Sequence, residues 1–280
     1  MNDSPVGPAV VVGVDGSRAA LRAALWAVDE AVDRGLPLRL LCAIAGTDPG
    51  DATRGRARGE LAVREVSTVV EAGGTPVRIE IDITAGPAVS ALVRASRSAA
   101  LVCVGAVGLG HFQTGRVGST AAALAVSAHC PVAIVRGDTR PFPSRGQWIV
   151  VEADEAPDNE VVVEAAVSEA RLRNAPLRAI GCWRAPSIDR QAVIEGDWRI
   201  RARLTRRLAP WRRRYPDLRI EPIVVHGTIL DYLAQNAAGV QLLVMGAHDR
   251  HLVAEVVGPA GNAALGDSDC VVLVVNRRHL

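Results

Sequence analysis

The chain repeats its own pattern after about 140 residues, so one half is expected to fold like the other. The apolar segment Leu101–Gly105 recurs as Leu242–Gly246, and Gly86 recurs as Gly227. This period is much longer than the roughly 20–50 residues of solenoid repeats, so it indicates two duplicated domains. A chain of 280 residues is long enough for two ordinary domains.

Turn-forming residues mark the border between the two copies. Pro141, Pro143 and Gly146 lie between two apolar runs, and residues of these types interrupt regular structure. The sequence therefore predicts a first domain at residues 1–138 and a second domain at residues 146–280.

Short apolar runs alternate with helical patterns within the first copy. Hydrophobic residues make up 49% of the chain and aromatic residues only 3%, so the core consists of Val, Leu, Ile and Ala, which suit parallel sheets. The alternation implies right-handed crossovers, and the predicted fold class is α/β with two tandem open parallel-sheet domains. The predicted strands are Ala9–Val14, Leu38–Ile44, Val77–Thr84, Leu101–Gly105 and Val132–Val135, and the predicted helices are Arg18–Arg34, Thr53–Ala72, Pro87–Ser96 and Val117–Ala128.

Composition and charge argue against several classes of protein. No apolar run approaches the roughly 18 residues of a membrane span, and the N-terminus lacks a basic leader, so we expect a cytoplasmic protein without membrane contact. A net charge of +2 gives little attraction for nucleic acid, which is therefore not an expected partner. Five cysteines without a C-x-x-C motif indicate buried thiols rather than a disulfide framework.

A glycine-rich segment, GAVGLGHFQTGRVGST at residues 105–120, lies between a predicted strand and a predicted helix. Glycines let backbone amides approach phosphate oxygens, and the amides and dipole of a helix start favour negative charge. The chain has no lysine, which excludes the G-x-x-x-x-G-K-[ST] phosphate loop, and no G-x-G-x-x-G follows the first strand. The candidate phosphate contacts are Gly105, Gly108, Gly118, Ser119 and Thr120.

The spacing of this loop, G-x2-G-x9-G-[ST], resembles that of the ATP-binding members of the universal stress protein family. The segment Val10–Ser17 is similar to the first strand of that family, which ends in a nucleotide-contacting aspartate, here Asp15. The resemblance covers nearly the whole chain, twice over. It implies a Rossmann-like, adenine nucleotide α-hydrolase-like fold, with ATP as the ligand, Mg²⁺ on its phosphates, and Asp15 as one candidate contact for the ribose or the ion.

Further expectations follow from the same resemblance. Backbone groups of Ala43, at the end of the second strand, are expected beside the adenine. The last strands, Val132–Val135 and Val271–Val275, are expected to pair and make the two domains an intramolecular pseudo-dimer, and a homodimer of the whole chain is left open. The implied function is that of an ATP-binding, nucleotide-dependent regulator in a stress response, in which binding orders the loop Leu109–Val117.

Each of these assignments has an alternative that the sequence leaves open. The glycine-rich segment could be an ordinary strand-to-helix turn, Asp15 could cap the first helix, as Ser17 can, and Ala43 could be plain core. The alternative functions are a slow ATPase of the same superfamily and a dimerisation scaffold that ignores nucleotide. No catalytic lysine, base or His-x-Gly-His motif is evident, so no catalytic residue is assigned.

The second copy keeps the fold pattern but changes the loop. A loop glycine becomes Asp249, which sets a carboxylate against an anion, and the helix-start serine becomes Pro259, which removes an N–H and a hydroxyl. Aligning Cys42 with Cys182 puts Trp183 at the expected adenine position. We therefore predict that the second domain does not bind ATP.

Two other clusters in the second copy are interpreted as solvated surface. His248 and His251 are three residues apart, as some metal ligands are, but no further ligand cluster is evident, so a solvated loop is favoured. Arginines crowd residues 199–214, which are predicted to be helical at least as far as Pro210. A solvated helix face is favoured there over a contact for an acidic partner or for nucleic acid.

Overall fold

The structure, a computed structural model, describes residues 7–44, 49–108, 117–137, 147–184, 190–266 and 268–276. The chain divides into two compact units, the first made of Met1–Arg140 together with Asn276–Leu280 and the second of Pro141–Val275. Each unit is an α/β fold built on a parallel sheet, which confirms the predicted fold class. Within the described residues, no helix is both long enough and apolar enough to cross a membrane.

Within its described residues, the first unit contains five parallel strands in the order β3-β2-β1-β4-β5. The alternation of apolar runs and helical patterns in the sequence is therefore a true alternation of strands and helices. In chain order the elements are β1 (Val10–Gly13), α1 (Arg18–Asp33), β2 (Leu38–Ile44), α2 (Pro49–Ala72), β3 (Ile79–Ala85), α3 (Ala88–Ala95), β4 (Leu101–Gly105), α4 (Ser119–Ser127) and β5 (Val132–Val135).

The second unit repeats this plan, with its strands in the order β8-β7-β6-β9-β10. A short 3₁₀ helix, Ala237–Gly239, precedes its fourth strand. In chain order the other elements are β6 (Trp148–Glu152), α5 (Asn159–Leu172), β7 (Leu177–Trp183), α6 (Arg190–Arg214), β8 (Ile220–His226), α7 (Ile229–Asn236), β9 (Val240–Gly246), α8 (Arg250–Val257), α9 (Pro259–Leu265) and β10 (Val271–Val275).

Strand β1 lies where the strand order of the first unit reverses, because Val10 pairs with Leu38 on one side and with Leu101 on the other. Open parallel sheets bind ligands beyond the carboxyl ends of their strands at such a position. The three valines of β1, Val10–Val12, are wholly buried, so the strand is the centre of the core and its carboxyl end is held rigidly.

The start of α1 is fixed by two polar side chains that follow β1. The Ser17 hydroxyl accepts a hydrogen bond from the Ala20 amide at 3.1 Å and caps the helix. The Asp15 carboxylate in turn accepts one from the Ser17 amide at 2.9 Å. Ser17 is therefore the cap, and the alternative that Asp15 caps the first helix is wrong.

The sheet registers correct one detail of the alignment between the copies. In β2 and β7, Leu38 and Leu177 hold the same place, since they pair with Val10 of β1 and Ile149 of β6. Counting along both strands from these two leucines, the counterpart of Cys42 is Gly181. The alignment that set Cys42 against Cys182 is therefore off by one position. Cys182 instead takes the place of Ala43, and Trp183 takes the place of Ile44.

Gly105, at the carboxyl end of β4, is covered closely by α1. A Cβ atom added there would lie 2.6 Å from the carbonyl carbon of Ala19 and 2.8 Å from its oxygen. Backbone cannot retreat as a flexible side chain can, so the bare glycine is what lets α1 lie against the end of β4.

We predict that Gly105→Ala lowers the free energy of unfolding by about 1–3 kcal/mol, the usual cost of overpacking a core. The measurement is denaturant unfolding of the whole protein. Gly118→Ser is the matched control, because a Cβ there has its nearest neighbour at 3.5 Å and φ is −65°. Serine also caps helices well, so the control should lose nothing. Equal stability of Gly105→Ala and the wild type would contradict the packing role.

Candidate functional site

A cavity of about 230 Å³ opens at the carboxyl edge of the first sheet, beside the reversal of strand order. Its walls come from the ends of β1, β2 and β4, from the starts of α1 and α4, and from α3. All seven residues that the sequence predicts for the site line this cavity, although they come from separate parts of the chain: Asp15, Ala43, Gly105, Gly108, Gly118, Ser119 and Thr120.

The start of α4 presents backbone donors at this cavity. The N-cap residue is Gly118, whose amide donates to the Ala106 carbonyl at 2.6 Å and which has no side chain to cap the helix. The first bond within the helix runs from the Ala122 amide to the Gly118 carbonyl at 3.0 Å. The amides of residues 119–121 precede that bond, and all three residues line the cavity. This arrangement suits an anion.

Asp15 lies directly against the glycine-rich segment. A Cβ atom added to Gly108 would be 2.7 Å from Oδ2 of Asp15, so only glycine leaves that carboxylate oxygen where it is. The other oxygen, Oδ1, accepts the Ser17 amide, which fixes the orientation of the carboxylate. Among the described residues that line the cavity, Asp15 is the only one with an ionisable side chain.

The rest of the cavity wall is apolar, and the sequence did not single out its residues. Leu41, Leu92 and Val104 contribute to it, with Gly13 between them. A Cβ atom on Gly13 would lie 3.2 Å from both Leu92 and Val104, so a larger residue would take space from the cavity. Apolar side chains at the end of a strand look the same in sequence whether they fill a core or line a cavity.

Neighbouring Cys42 does not add a nucleophile to this site. Burial and the charge of Asp15 both raise the pKa of its thiol, burial being the larger cause. The thiol therefore stays protonated at neutral pH and behaves as a small apolar group. The described cavity can bind through amides, hydroxyls and one carboxylate, and it contains no pair of groups arranged for nucleophilic chemistry.

Comparison with known sequences extends the likeness over the whole chain. The pattern of the Universal stress protein family matches residues 8–136 and again residues 147–276. Universal stress protein Rv2028c of Mycobacterium tuberculosis is 49% identical over 287 residues, which covers 100% of both chains. Universal stress protein Rv2624c of the same organism is 43% identical and covers 98% of each chain.

The chain belongs to the universal stress protein family. Its tandem organisation is shown by the two matched segments, one in each compact unit. A crystal structure of a universal stress protein from Archaeoglobus fulgidus has the same fold, with a TM-score of 0.70 over 96% of each chain at 16% identity.

The second universal stress domain also has a cavity, of about 290 Å³, at the corresponding edge of its sheet. Its lining differs in kind from that of the first domain. Glu152 takes the place of Gly13, and Cys182 takes the place of Ala43. Asp154, the counterpart of the first domain's aspartate, lines it as well.

His248 occupies the space beside Asp154. Its Nε2 lies 3.0 Å from Oδ2 of Asp154, and its ring lies over Gly246, where any Cβ atom would collide with it. His248 lies in an exposed turn, as the expectation of a solvated loop implies, although its ring is paired with Asp154. His251 also lies in solvent, on α8, opposite Glu255. Within the described residues, no cluster of three or more potential ligands could hold a metal ion.

Trp183 lines the second cavity, but it does not hold the predicted adenine position. That position belongs to Ala43 in the first domain, whereas the counterpart of Trp183 is Ile44. Its indole Nε1 donates to Asp197 at 2.8 Å, and its ring centroid lies 5.3 Å from that of His226. The ring rests on Gly196, which has no side chain to obstruct it. The indole is thus a fixed wall of this cavity.

Three acidic side chains, Glu152, Asp154 and Glu155, line the second cavity together with one basic side chain, Arg203. Burial, followed by the charges of Asp154 and Asp249, raises the pKa of Glu152 to about 7, although a hydrogen bond with Cys182 opposes the shift. Burial and the same glutamate raise the pKa of the Cys182 thiol to about 12. A phosphate in this cavity would meet more acidic side chains than basic ones, although Glu152 is only partly ionised at neutral pH.

We predict that the second domain loses stability as pH rises, because Glu152 is more easily protonated when folded. The pKa of Glu152 in the folded protein, about 7, lies above its ordinary value of 4.5. Between these two pH values the folded protein therefore binds more protons than the unfolded chain, and the free energy of unfolding falls as pH rises from 4.5 to 7. The full loss is roughly 3 kcal/mol above pH 7. Glu152→Gln should raise the melting temperature at pH 8 and change it little at pH 5.

The control for this experiment is Glu164→Gln, which removes an exposed carboxylate from α5. It should show no such dependence on pH. If Glu152→Gln and the wild type have the same melting temperature at pH 8, the carboxyl is not destabilised by its surroundings.

Proposed function

We propose that the first domain binds ATP, accompanied by Mg²⁺, in the cavity at the end of β1, and that the protein acts as a nucleotide-dependent regulator in a stress response. The observation that carries this proposal is the meeting, in one cavity, of an uncapped helix start, a glycine-rich strand end, a carboxylate and an apolar wall. An adenine nucleotide has matching parts, since it joins an apolar base to a hydroxylated sugar and an anionic tail.

The phosphates are assigned to the start of α4. The amides of residues 119–121 and the hydroxyls of Ser119 and Thr120 supply donors there, and the helix dipole adds to their attraction. The base is assigned to the apolar wall, where the backbone of Ala43 at the end of β2 can meet its polar edge. A volume of about 230 Å³ is below the roughly 300–1,000 Å³ of most ligand pockets, so part of the nucleotide extends beyond these walls.

Asp15 is assigned to the ribose or to the ion. Mg²⁺ in nucleotide sites is commonly held by one or two carboxylates together with phosphate oxygens. This cavity offers one carboxylate, and a bound nucleotide would supply the phosphate oxygens. The carboxylate is already oriented by the Ser17 amide at 2.9 Å. Its place against Gly108 puts it between the apolar wall and the glycine-rich segment.

The two domains are proposed to differ in function. The second domain keeps the fold but presents Glu152, Asp154 and Asp249 where the first presents glycines and one carboxylate. Its helix α9 begins with Pro259, which has no amide hydrogen. ATP binding is therefore assigned to the first domain only. The loop Leu109–Val117, which we predict to be ordered by ATP, lies at residues 109–116 outside the described part of the chain.

Gly118→Asp should abolish ATP binding without unfolding the protein. The position has ordinary space for a side chain, and its φ of −65° is allowed for any residue. Aspartate is also a good helix cap, but its charge would face the phosphates. Isothermal titration calorimetry with Mg-ATP measures the affinity. At 100 times Kd, ATP should also stabilise the wild type by about 2.7 kcal/mol.

The matched control is Ser127→Asp, which adds the same charge at the other, exposed end of α4. It should bind ATP as the wild type does. An unchanged affinity in Gly118→Asp would refute the assignment of the phosphates. Phosphate release that depends on Gly118 would favour the ATPase alternative, and absence of ATP binding in the wild type would favour the scaffold.

Asp15→Asn separates the two roles proposed for this carboxylate. If Asp15 contacts the ion, the variant should bind Mg-ATP at least tenfold more weakly, while metal-free ATP, relieved of a neighbouring negative charge, should bind no worse. If it contacts the ribose, affinity should fall with and without the metal. Titrations in Mg²⁺ and in a chelator give both values. Unchanged affinity under both conditions would remove Asp15 from the site.

A further inference from the structure

Helix α6 of the second domain, Arg190–Arg214, exposes two large apolar side chains to solvent. Ile194 is 53% exposed and Trp198 is 73% exposed, although side chains of this size are usually covered. They are four residues apart, and the exposed Ala202 follows after four more, so the three make one ridge along the helix. The apolar side chains that anchor the helix to its own domain, among them Ile200 and Leu204, lie on the opposite face.

Unpaired arginines border this ridge. Arg199 and Arg206 lie along one side of it, and Arg201 lies on the other. None of these three guanidinium groups has an acidic or hydrogen-bonding partner within the part of the chain that the structure describes. In contrast, Arg203 pairs with Glu155, and Arg207 donates to the carbonyl of Asp154. The arginines of α6 therefore divide into those that hold the domain together and those that face outwards.

We propose that this outer face of α6 is a docking surface for an acidic amphipathic helix of another protein. Tryptophan and arginine are the residue types that most often dominate the energy of protein interfaces, and an apolar centre with a charged border is the usual arrangement. A partner helix with apolar residues four apart can pack along the ridge, and its acidic residues can pair with the three arginines.

The same face is less suited to nucleic acid or to a membrane. A base could stack on Trp198, but Ile194 has neither a ring for stacking nor a hydrogen-bonding group. The exposed carboxylate of Glu195 would also repel the phosphate backbone of a nucleic acid. Helices that lie in membranes have a long apolar face. This ridge holds only two large apolar side chains, and beyond Ala202 the same face continues with the polar Thr205. A protein partner can match both the arginines and the single glutamate.

The test uses the whole protein and a synthetic helical peptide of glutamates with leucines four residues apart. Its affinity is measured by fluorescence anisotropy, and contact with the ridge by protection of tryptophan emission from acrylamide. We expect saturable binding, with about tenfold or greater weakening in Trp198→Ala and in the triple variant Arg199→Glu, Arg201→Glu, Arg206→Glu. All four positions are exposed, so these changes should leave the fold intact, as circular dichroism will verify.

Helix α2 provides matched controls, because Leu61 is 67% exposed there and Arg58 and Arg64 flank it three residues away. Leu61→Ala and the double variant Arg58→Glu, Arg64→Glu should bind the peptide as the wild type does. The proposal is overturned if the peptide does not bind, or if polyglutamate of equal charge binds as tightly. It is also overturned if the controls weaken binding as much as the α6 variants do, or if oligo(dT) or phosphatidylserine vesicles bind α6 more tightly than the peptide.

Discussion

The parallel pairing of β1 with both β2 and β4 is the constraint on which the first domain depends. Because the strand order reverses at β1, the helices that follow these strands diverge and leave an opening at their carboxyl ends. The buried valines of β1 keep that edge fixed, and Gly105 lets α1 close over the end of β4. The strand ends that line the cavity are thus positioned by the sheet.

The second domain shows that the same backbone plan can hold a different site. Both domains place an aspartate after the central strand, and in each its carboxylate accepts an amide two residues later, Ser17 in one and Ala156 in the other. The side chains around this aspartate differ between the two domains. Small residues in the first domain become a glutamate, an imidazole and an indole in the second, and each of these side chains has a partner of its own.

Much of the fold could be predicted from the sequence because its local signals agree. Three predicted strands of the first domain have the observed bounds, namely Leu38–Ile44, Leu101–Gly105 and Val132–Val135, and the other two differ by one or two residues at each end. Short apolar runs bounded by turn residues are strong signals. The seven candidate site residues also line one cavity, although their role as ligand contacts stays a prediction. Leu92 and Val104 were not singled out, because an apolar residue that lines a cavity has the same sequence pattern as one in the core.

The errors in the second domain have one physical origin. Cys42 was set against Cys182 by residue identity, whereas the true correspondence is decided by backbone pairing between strands, which a single sequence does not display. The contact between His248 and Asp154 was missed for the same kind of reason, since it joins residues far apart in the chain. Glu152 was passed over because a carboxyl at the end of a strand has an ordinary pKa unless its neighbours are known.

The anchoring of Trp183 has a consequence for any attempt to convert the second domain into a copy of the first. Its indole depends on a bare Gly196 beneath it and on Asp197 beside it, so these three residues must change together. Restoring a glycine-rich loop to the second half would leave this arrangement, and the His248–Asp154 pair, still in place. A single substitution in that loop therefore does not give the second domain the cavity of the first.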